Sequence, residues 1–173
     1  AFIAFVDDIM KIRQLIRAFI PAIAALPLIA VTTSTAMLVP FFGTVDLGLF
    51  YYIIIMIGMF CACNATNMLA GYNGIGSGTG LIILSSMLLF NLHINGSLTI
   101  TIFLLSVIGA FLAFWYYNFY PARCLPGMAD YLMGATIACA AIIGNMAYLA
   151  LLMFPLYYLE FILKARRGFK NKW

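Results

Sequence analysis

Residues 98–117 read LTITIFLLSVIGAFLAFWYY and carry no charged side chain. A helix of that length rises about 30 Å, the thickness of a bilayer's hydrocarbon core. Working outward, stretches of the same character occupy roughly 18–41, 49–67 and 76–92, and a longer one runs over 131–163. The last is too long for one crossing, and Gly144-Asn145 is its natural break, predicting helices near 131–145 and 147–164. Ahead of them, Ala1-Phe2-Ile3-Ala4-Phe5-Val6 has no basic start or cleavage site, so it reads as the end of another membrane helix. The expected fold is all-α: a polytopic transmembrane helix bundle with about six membrane segments plus a partial N-terminal one. Residues 1–173 are expected to be a single membrane domain, a fragment of a larger protein.

Composition supports the same class. The 173 residues are 66% hydrophobic and 8% charged, against about 25% charged in a soluble chain. Too few polar groups are present to cover a water-exposed surface, so the lipid bilayer is the expected partner. The net charge of +4 does not point to nucleic acid, because of where the charges lie. With the stub ending in the cytoplasm and each segment crossing once, the cytoplasmic stretches are 7–17, 68–75, 118–130 and 164–173. They hold all nine Lys and Arg residues, and the opposite loops, 42–48 and 93–97, hold none. That is the positive-inside asymmetry of a membrane protein. The opposite loops look like turns; Asn95-Gly96-Ser97 has the form of a glycosylation sequon, very near the bilayer, and His93 reads as an interfacial loop residue. Cys61 and Cys63 would point about 200° apart on a helix and, with Cys124 and Cys139, are expected to be small hydrophobes.

Three polar clusters fall on the cytoplasmic side. In Asp7-Asp8-Ile9-Met10-Lys11-Ile12-Arg13, with Arg17 beyond, two adjacent carboxylates end a membrane helix, where they are costly unless they face a wet cleft or hold a cation. Lys11 shares a helical face with Asp7, a mixed face suited to a metal-bound phosphate, or simply to a solvated helix end. In the second cluster Asn64 and Asn67 share a face, and Asn73-Gly74 lies in a run with five glycines between 71 and 80. Such a run lets backbone approach a ligand closely, or lets helices pack closely through small residues. The third, Asn118-Phe119-Tyr120-Pro121-Ala122-Arg123 through Asp130, is a proline-fixed loop in which Arg123 is placed to clamp a phosphate and Asp130 to bind a metal. Read by itself it is equally a basic interfacial loop. Their joint occurrence on one face is the stronger signal.

These motifs resemble the polyprenyl-phosphate N-acetylhexosamine-1-phosphate transferases, glycosyltransferase family 4. Phe5-Val6-Asp7-Asp8 with Lys11 is similar to that family's Asp-Asp motif. Asp46-Leu47-Gly48 and Asn64-Ala65-Thr66-Asn67-Met68-Leu69-Ala70-Gly71-Tyr72-Asn73-Gly74 resemble the branch acting on UDP-GlcNAc and dolichyl phosphate. The peptidoglycan branch usually has Asp at the position of Ala70. The resemblance implies a bundle of about ten helices, of which this chain holds the middle to later part. It also implies transfer of GlcNAc-1-phosphate from UDP-GlcNAc to a polyprenyl or dolichyl phosphate, releasing UMP, as the first step of lipid-linked oligosaccharide assembly for N-glycosylation. It implies Mg²⁺, with Mn²⁺ as a substitute. By the same resemblance Asp7, Asp8 and Lys11 are catalytic, Arg17, Asn64, Asn73, Gly74 and Arg123 bind substrate, and Asn67 binds metal. The family usually has Gly-Asp after the Pro-Ala-Arg loop; here Gly127 is followed by Met128, so Asp130 is expected to serve as the metal ligand after a register change. The membrane would be the endoplasmic reticulum in a eukaryote, or the cell membrane in an archaeon or bacterium, with a cytoplasmic active site. A homodimer or a second subunit remains open as a partner. The alternatives are a catalytically inactive paralogue or subunit, which Met128 favours, and a membrane transporter, which would carry its charges at mid-membrane depth.

Overall fold

The computed structural model describes residues 14–32, 34–39, 43–69, 73–124 and 127–166. The elements run α1 (Gln14–Ala24), α2 (Leu26–Val31), β1 (Ala36–Val39), β2 (Gly43–Asp46), α3 (Leu49–Met68), α4 (Ile75–Phe90), α5 (Leu98–Asn118), α6 (Gly127–Ile143), α7 (Ala147–Leu152) and α8 (Pro155–Arg166). Helix α4 continues as a π-helical turn over Asn91–Asn95. The all-α class holds. Among the described residues, three helices are long and apolar enough to cross a membrane: Leu49–Met68, Ile75–Asn95 and Leu98–Asn118. Large apolar side chains such as Leu49, Ile57, Ile82, Leu98, Ile102 and Leu112 are exposed along them. In water that surface would be untenable, whereas in lipid it is the solvent-facing side. The chain is an integral membrane protein.

Apolar residues on every side leave these helices without a marked polar face, so small residues decide which faces meet. The tightest crossing joins α3 and α6. A Cβ at Gly134 would lie 2.5 Å from Thr66 Oγ1 and 2.6 Å from Ala62 O. At the crossing of α4 and α6, a Cβ on Gly80 would overlap the Met133 thioether. Around these crossings Ile55, Met59, Ile83, Leu84, Met133 and Ile137 form the core.

The expected apolar segment over 18–41 is not one helix. Pro21 lies inside α1 and a second proline, Pro27, opens α2; each lacks the N–H that a continuous helix needs. After α2 the β-branched and hydroxyl residues Thr32, Ser34 and Thr35 end the helix, and the Thr32 hydroxyl donates back to Leu28 O at 2.7 Å. The expected turn at 42–48 is likewise corrected. Residues 43–46 form a strand antiparallel to β1, with Ala36 opposite Asp46 and Val39 opposite Gly43. Asp46 Oδ1 fixes the exit of this hairpin, accepting from Thr35 Oγ1 at 2.5 Å and from Gly48 N–H at 3.0 Å. Gly48 has φ +51, a left-handed conformation that glycine adopts without steric cost. Later in the chain the break between α6 and α7 falls at Gly144-Asn145, as read from the sequence, with Asn145 at φ +49. The expected helix over 147–164 divides again at Met153-Phe154, where Pro155 withholds its N–H.

Hydrogen bonds sort the connections into two ends. At one, Leu38 N–H donates to Asn145 Oδ1 at 3.3 Å and Asn95 Nδ2 to Gly144 O at 2.8 Å, joining β1, the 93–97 loop and the α6–α7 break. At the other end lie the 73–74 turn, the 119–124 loop and the start of α6. These are the ends that the charge asymmetry assigned to opposite faces.

Candidate functional site

Asn64, one turn before the end of α3, fastens the incoming chain. Its Nδ2 donates to Ala18 O at 3.0 Å and to Phe60 O at 2.8 Å, and Phe19 packs on Phe60 with ring centroids 5.4 Å apart. Helix α1 is thereby held beside the end of α3, with Arg17 one residue before the contact. Asp7, Asp8 and Lys11 lie outside the described residues. Asn64 was expected to contact substrate; in this structure its amide protons bridge two helices.

Two residues on, Thr66 is 1% exposed. Its Oγ1 lies 2.9 Å from Ala62 O, 3.0 Å from Cys63 O and 2.7 Å from Asp130 O. The single hydroxyl proton serves one carbonyl at a time, and the bond to Asp130 O clamps the first turn of α6 against the last turn of α3. Asn67 follows directly and is half-buried. Asp130 is 1% exposed, and its Oδ2 has no hydrogen-bond partner among the described residues. A buried carboxylate oxygen without a partner costs several kcal/mol unless a cation or proton meets it. Its place in the first turn of a helix, near free N–H groups, offsets part of that cost.

The second and third clusters meet at the end of α5. Asn118 is 1% exposed. Its Oδ1 accepts from Gly74 N–H at 2.9 Å and from Ser77 Oγ at 3.1 Å, while Nδ2 donates to Cys124 O at 2.9 Å. Only one orientation of the amide satisfies a donor N–H on one side and a carbonyl on the other. Trp115, a turn earlier, donates Nε1–H to Gly74 O at 3.0 Å. Gly74 has φ +78, and a Cβ there would approach Phe119 Cδ2 to 3.0 Å. Glycine is required twice over, by backbone hand and by space. From α8, Tyr157 donates its buried hydroxyl to Gly76 O at 2.9 Å. The 119–124 loop folds back on the same helix end, with Arg123 N–H donating to Tyr117 O at 2.8 Å. Asn73 and Arg123 are both exposed.

Of the site residues expected from the sequence, the described structure thus gathers Asn64, Asn67, Asn73, Gly74, Arg123 and Asp130 at one end of the bundle. Sequence reasoning missed Trp115, Asn118 and Tyr157, which hold the loops. The available signal was a polar or ring N–H/O–H group inside an apolar helix, where lipid offers it no partner.

Oxygen donors from Asn67 and the unpartnered Asp130 carboxylate suit a hard divalent cation; the thioether of Met128 does not. No group of three or more His, Cys, Asp or Glu occurs among the described residues. Beside this polar end, an apolar groove of about 350 Å³ runs between α3, α6 and α7. Gly58 and Ile55 line one side of it, Ala138 and Ala150 the other, and Asn64 is among its walls. The groove therefore reaches the polar cluster.

Comparison with known proteins gives a consistent result. Residues 1–145 match the family model described as glycosyl transferase family 4. The chain is 41% identical over 176 residues to a putative UDP-N-acetylglucosamine--dolichyl-phosphate N-acetylglucosaminephosphotransferase of Saccharolobus solfataricus, covering 99% of this chain and 54% of that protein. It is 31% identical over 189 residues to the Saccharomyces cerevisiae protein named for the same activity, covering 95% and 41% respectively. A phospho-N-acetylmuramoyl-pentapeptide-transferase of Dictyoglomus turgidum is 30% identical over 126 residues, 72% of this chain and 40% of that protein. The chain spans about half the length, or less, of these curated relatives.

Proposed function

This chain belongs to glycosyl transferase family 4, and from that membership we propose that its protein transfers GlcNAc-1-phosphate from UDP-GlcNAc to a polyprenyl phosphate such as dolichyl phosphate. The observation that carries the reading is the apolar groove ending at Asn64, beside a polar cluster with buried carboxylate, exposed amide and exposed guanidinium. An acceptor with a prenyl chain and a phosphate head matches both parts: the chain lies in the groove, and the head reaches the cluster. A water-soluble acceptor would have no use for the groove.

In the reaction an acceptor phosphate oxygen bonds to the sugar-linked phosphorus of UDP-GlcNAc. The bond from that phosphorus to the bridging oxygen breaks, and its electron pair leaves with UMP. Asp7, with Asp8 beside it, takes the proton of the lipid phosphate, and Lys11 and Arg17 neutralise phosphate oxygens. Asn73 and Gly74 contact the uridine side of the donor, and Arg123 approaches it from the facing loop. Mg²⁺, held by Asn67 and Asp130, would supply charge neutralisation at the phosphates. The remaining contribution is positioning, which is most of the catalysis in phosphoryl transfer. The site faces the cytoplasm, as the placement of all nine basic residues implies.

The test is transfer of labelled GlcNAc-1-phosphate to dolichyl phosphate by the full-length protein, compared with Gly58→Leu. A Cβ at Gly58 would meet no atom within 4 Å, and Gly58 lines the groove, so a leucine branching from that Cβ takes up groove volume. The expected result is a raised KM for the lipid with the KM for UDP-GlcNAc unchanged. Transfer with unaltered lipid KM removes the groove from the site, and absence of transfer from folded wild-type protein favours the non-catalytic paralogue.

A further inference from the structure

The end of α5 does more than terminate a helix. Asn73 and Arg123 are far apart in sequence, yet the backbone beside each is tied to one buried side chain. Asn118 holds Gly74 N–H through its oxygen and Cys124 O through its nitrogen. Each bond is 2.9 Å long and is made by a side chain that is 1% exposed, so water does not compete for it. The outward-facing residues Asn73 and Arg123 are therefore not independent. Each sits one residue from an anchor on the same amide.

We infer that Asn118 is a positioning residue that sets the separation of the Asn73 turn and the Arg123 loop, and so presets the jaw that closes on a nucleoside diphosphate-sugar. The role rests on the proposed donor substrate for its ligand, but the coupling itself is a property of the fold. Hydrogen bonds on both sides support it. Trp115 holds the Gly74 side without Asn118, through Gly74 O, while Ser77 shares the Asn118 oxygen with Gly74 N–H. On the Arg123 side, the Asn118 Nδ2 bond acts together with the N–H donations from Arg123 and Cys124 to Tyr117 O. Ordering that loop in advance reduces what a ligand must spend on ordering it.

The two faces of the amide are separable by chemistry. Asn118→Asp keeps an acceptor for Gly74 N–H and Ser77 Oγ and, at a pH where its carboxyl is ionised, has no proton to donate to Cys124 O. Asn118→Ala removes both. In the full-length protein, hydrogen exchange measured by peptide should rise over 119–124 in Asn118→Asp while 73–80 stays protected, and should rise in both in Asn118→Ala. Titration with UDP-GlcNAc should show affinity for Asn118→Asp reduced about tenfold, the worth of one positioned hydrogen bond. The KM for dolichyl phosphate should stay at the wild-type value, while the melting temperature falls because a buried carboxylate replaces a bonded amide. Unchanged exchange over 119–124 in Asn118→Asp would overturn the coupling. A loss of UDP-GlcNAc affinity matched by an equal change in lipid KM would overturn the positioning role and leave a general structural one. Wild-type protein that binds no UDP-GlcNAc defeats the proposed donor and with it the nucleotide jaw, while the exchange data still decide the coupling.

Discussion

The two ends of this bundle solve the same problem by different means. At the hairpin end, β1 and β2 satisfy each other's backbone in a ladder, and every residue of β2 is exposed. At the site end, buried side chains do that work. Of the five buried polar or charged residues among the described ones, Thr66, Ser77, Asn118 and Asp130 lie there; only Asn91 lies toward the hairpin. Burying a polar side chain is expensive unless it is bonded. A hairpin needs no such outlay, because its partners come with the backbone. The difference shows that the site end was built to hold two loops at a fixed spacing, whereas the hairpin end only has to close.

The sharpest break in the comparison is Asp130. Three of the four buried polar side chains at the site end are hydrogen-bonded, and Asp130 leaves one carboxylate oxygen unmatched. Asp130→Asn should lower transfer by about 100-fold or more, since even outer-shell partners of metal sites are worth roughly 10–100-fold. Its melting temperature should be equal or higher, because an unpaired buried charge has been removed. Loss of stability together with activity would make Asp130 a structural residue.

Next in size is the crossing that joins α3 to α6. Gly134→Ala places a methyl group 2.6 Å from Ala62 O and from Cys63 Cα, contacts with backbone that cannot swing away. Overpacking of that kind costs about 1–3 kcal/mol, read as a lowered thermal midpoint in detergent. Gly74→Ala should cost about 1–2 kcal/mol through its left-handed backbone, with a further rise in the KM for UDP-GlcNAc because the turn must shift from Phe119.

The smallest effect is expected at the hairpin. Asp46→Ala removes the acceptor of Thr35 and Gly48 but touches nothing at the site, so transfer should stay within about twofold of wild type, as for ordinary surface substitutions. The Thr35 hydroxyl, and then the Gly48 N–H, hold the Asp46 carboxyl below the usual aspartate value near 3.8. A depressed folded pKa stabilises the fold above the unfolded value, and that contribution disappears as pH falls through the folded one. The hairpin's dependence on Asp46 should therefore vanish only in strong acid. A melting difference between Asp46→Ala and wild type that fades already near neutral pH would contradict this assignment.

Much of this arrangement was legible in the sequence, and the reasons differ by region. The long spans 49–67, 76–92 and 98–117 were visible because uninterrupted apolar composition is sufficient to make a membrane helix. Gly144-Asn145 was visible because its residues tolerate left-handed backbone. The hairpin was hidden: Ala36-Met37-Leu38-Val39 is as apolar as the helix before it, and its strand character comes from pairing with 43–46. The divisions at Ala25 and Met153-Phe154 follow from Pro27 and Pro155, whose missing N–H groups are masked in the sequence by the apolar runs around them. Within the site, Asn67, Asn73, Arg123 and Asp130 stood out by residue type and motif. Asn118 belongs to the same cluster, yet nothing in the sequence distinguishes it from Tyr120 as a residue of consequence. A buried amide acquires its role from the two loops it touches, and those are brought together only by the packing of α4 against α5.

The most direct test of the central claim is transfer from labelled UDP-GlcNAc to dolichyl phosphate by full-length protein, with and without Mg²⁺, for wild type, Asp130→Asn and Asp46→Ala. The expected result is Mg²⁺-dependent lipid product from wild type and Asp46→Ala, and almost none from folded Asp130→Asn. Equal product from Asp130→Asn, or product that needs no divalent cation, would contradict the assignment of the site to this end of the bundle.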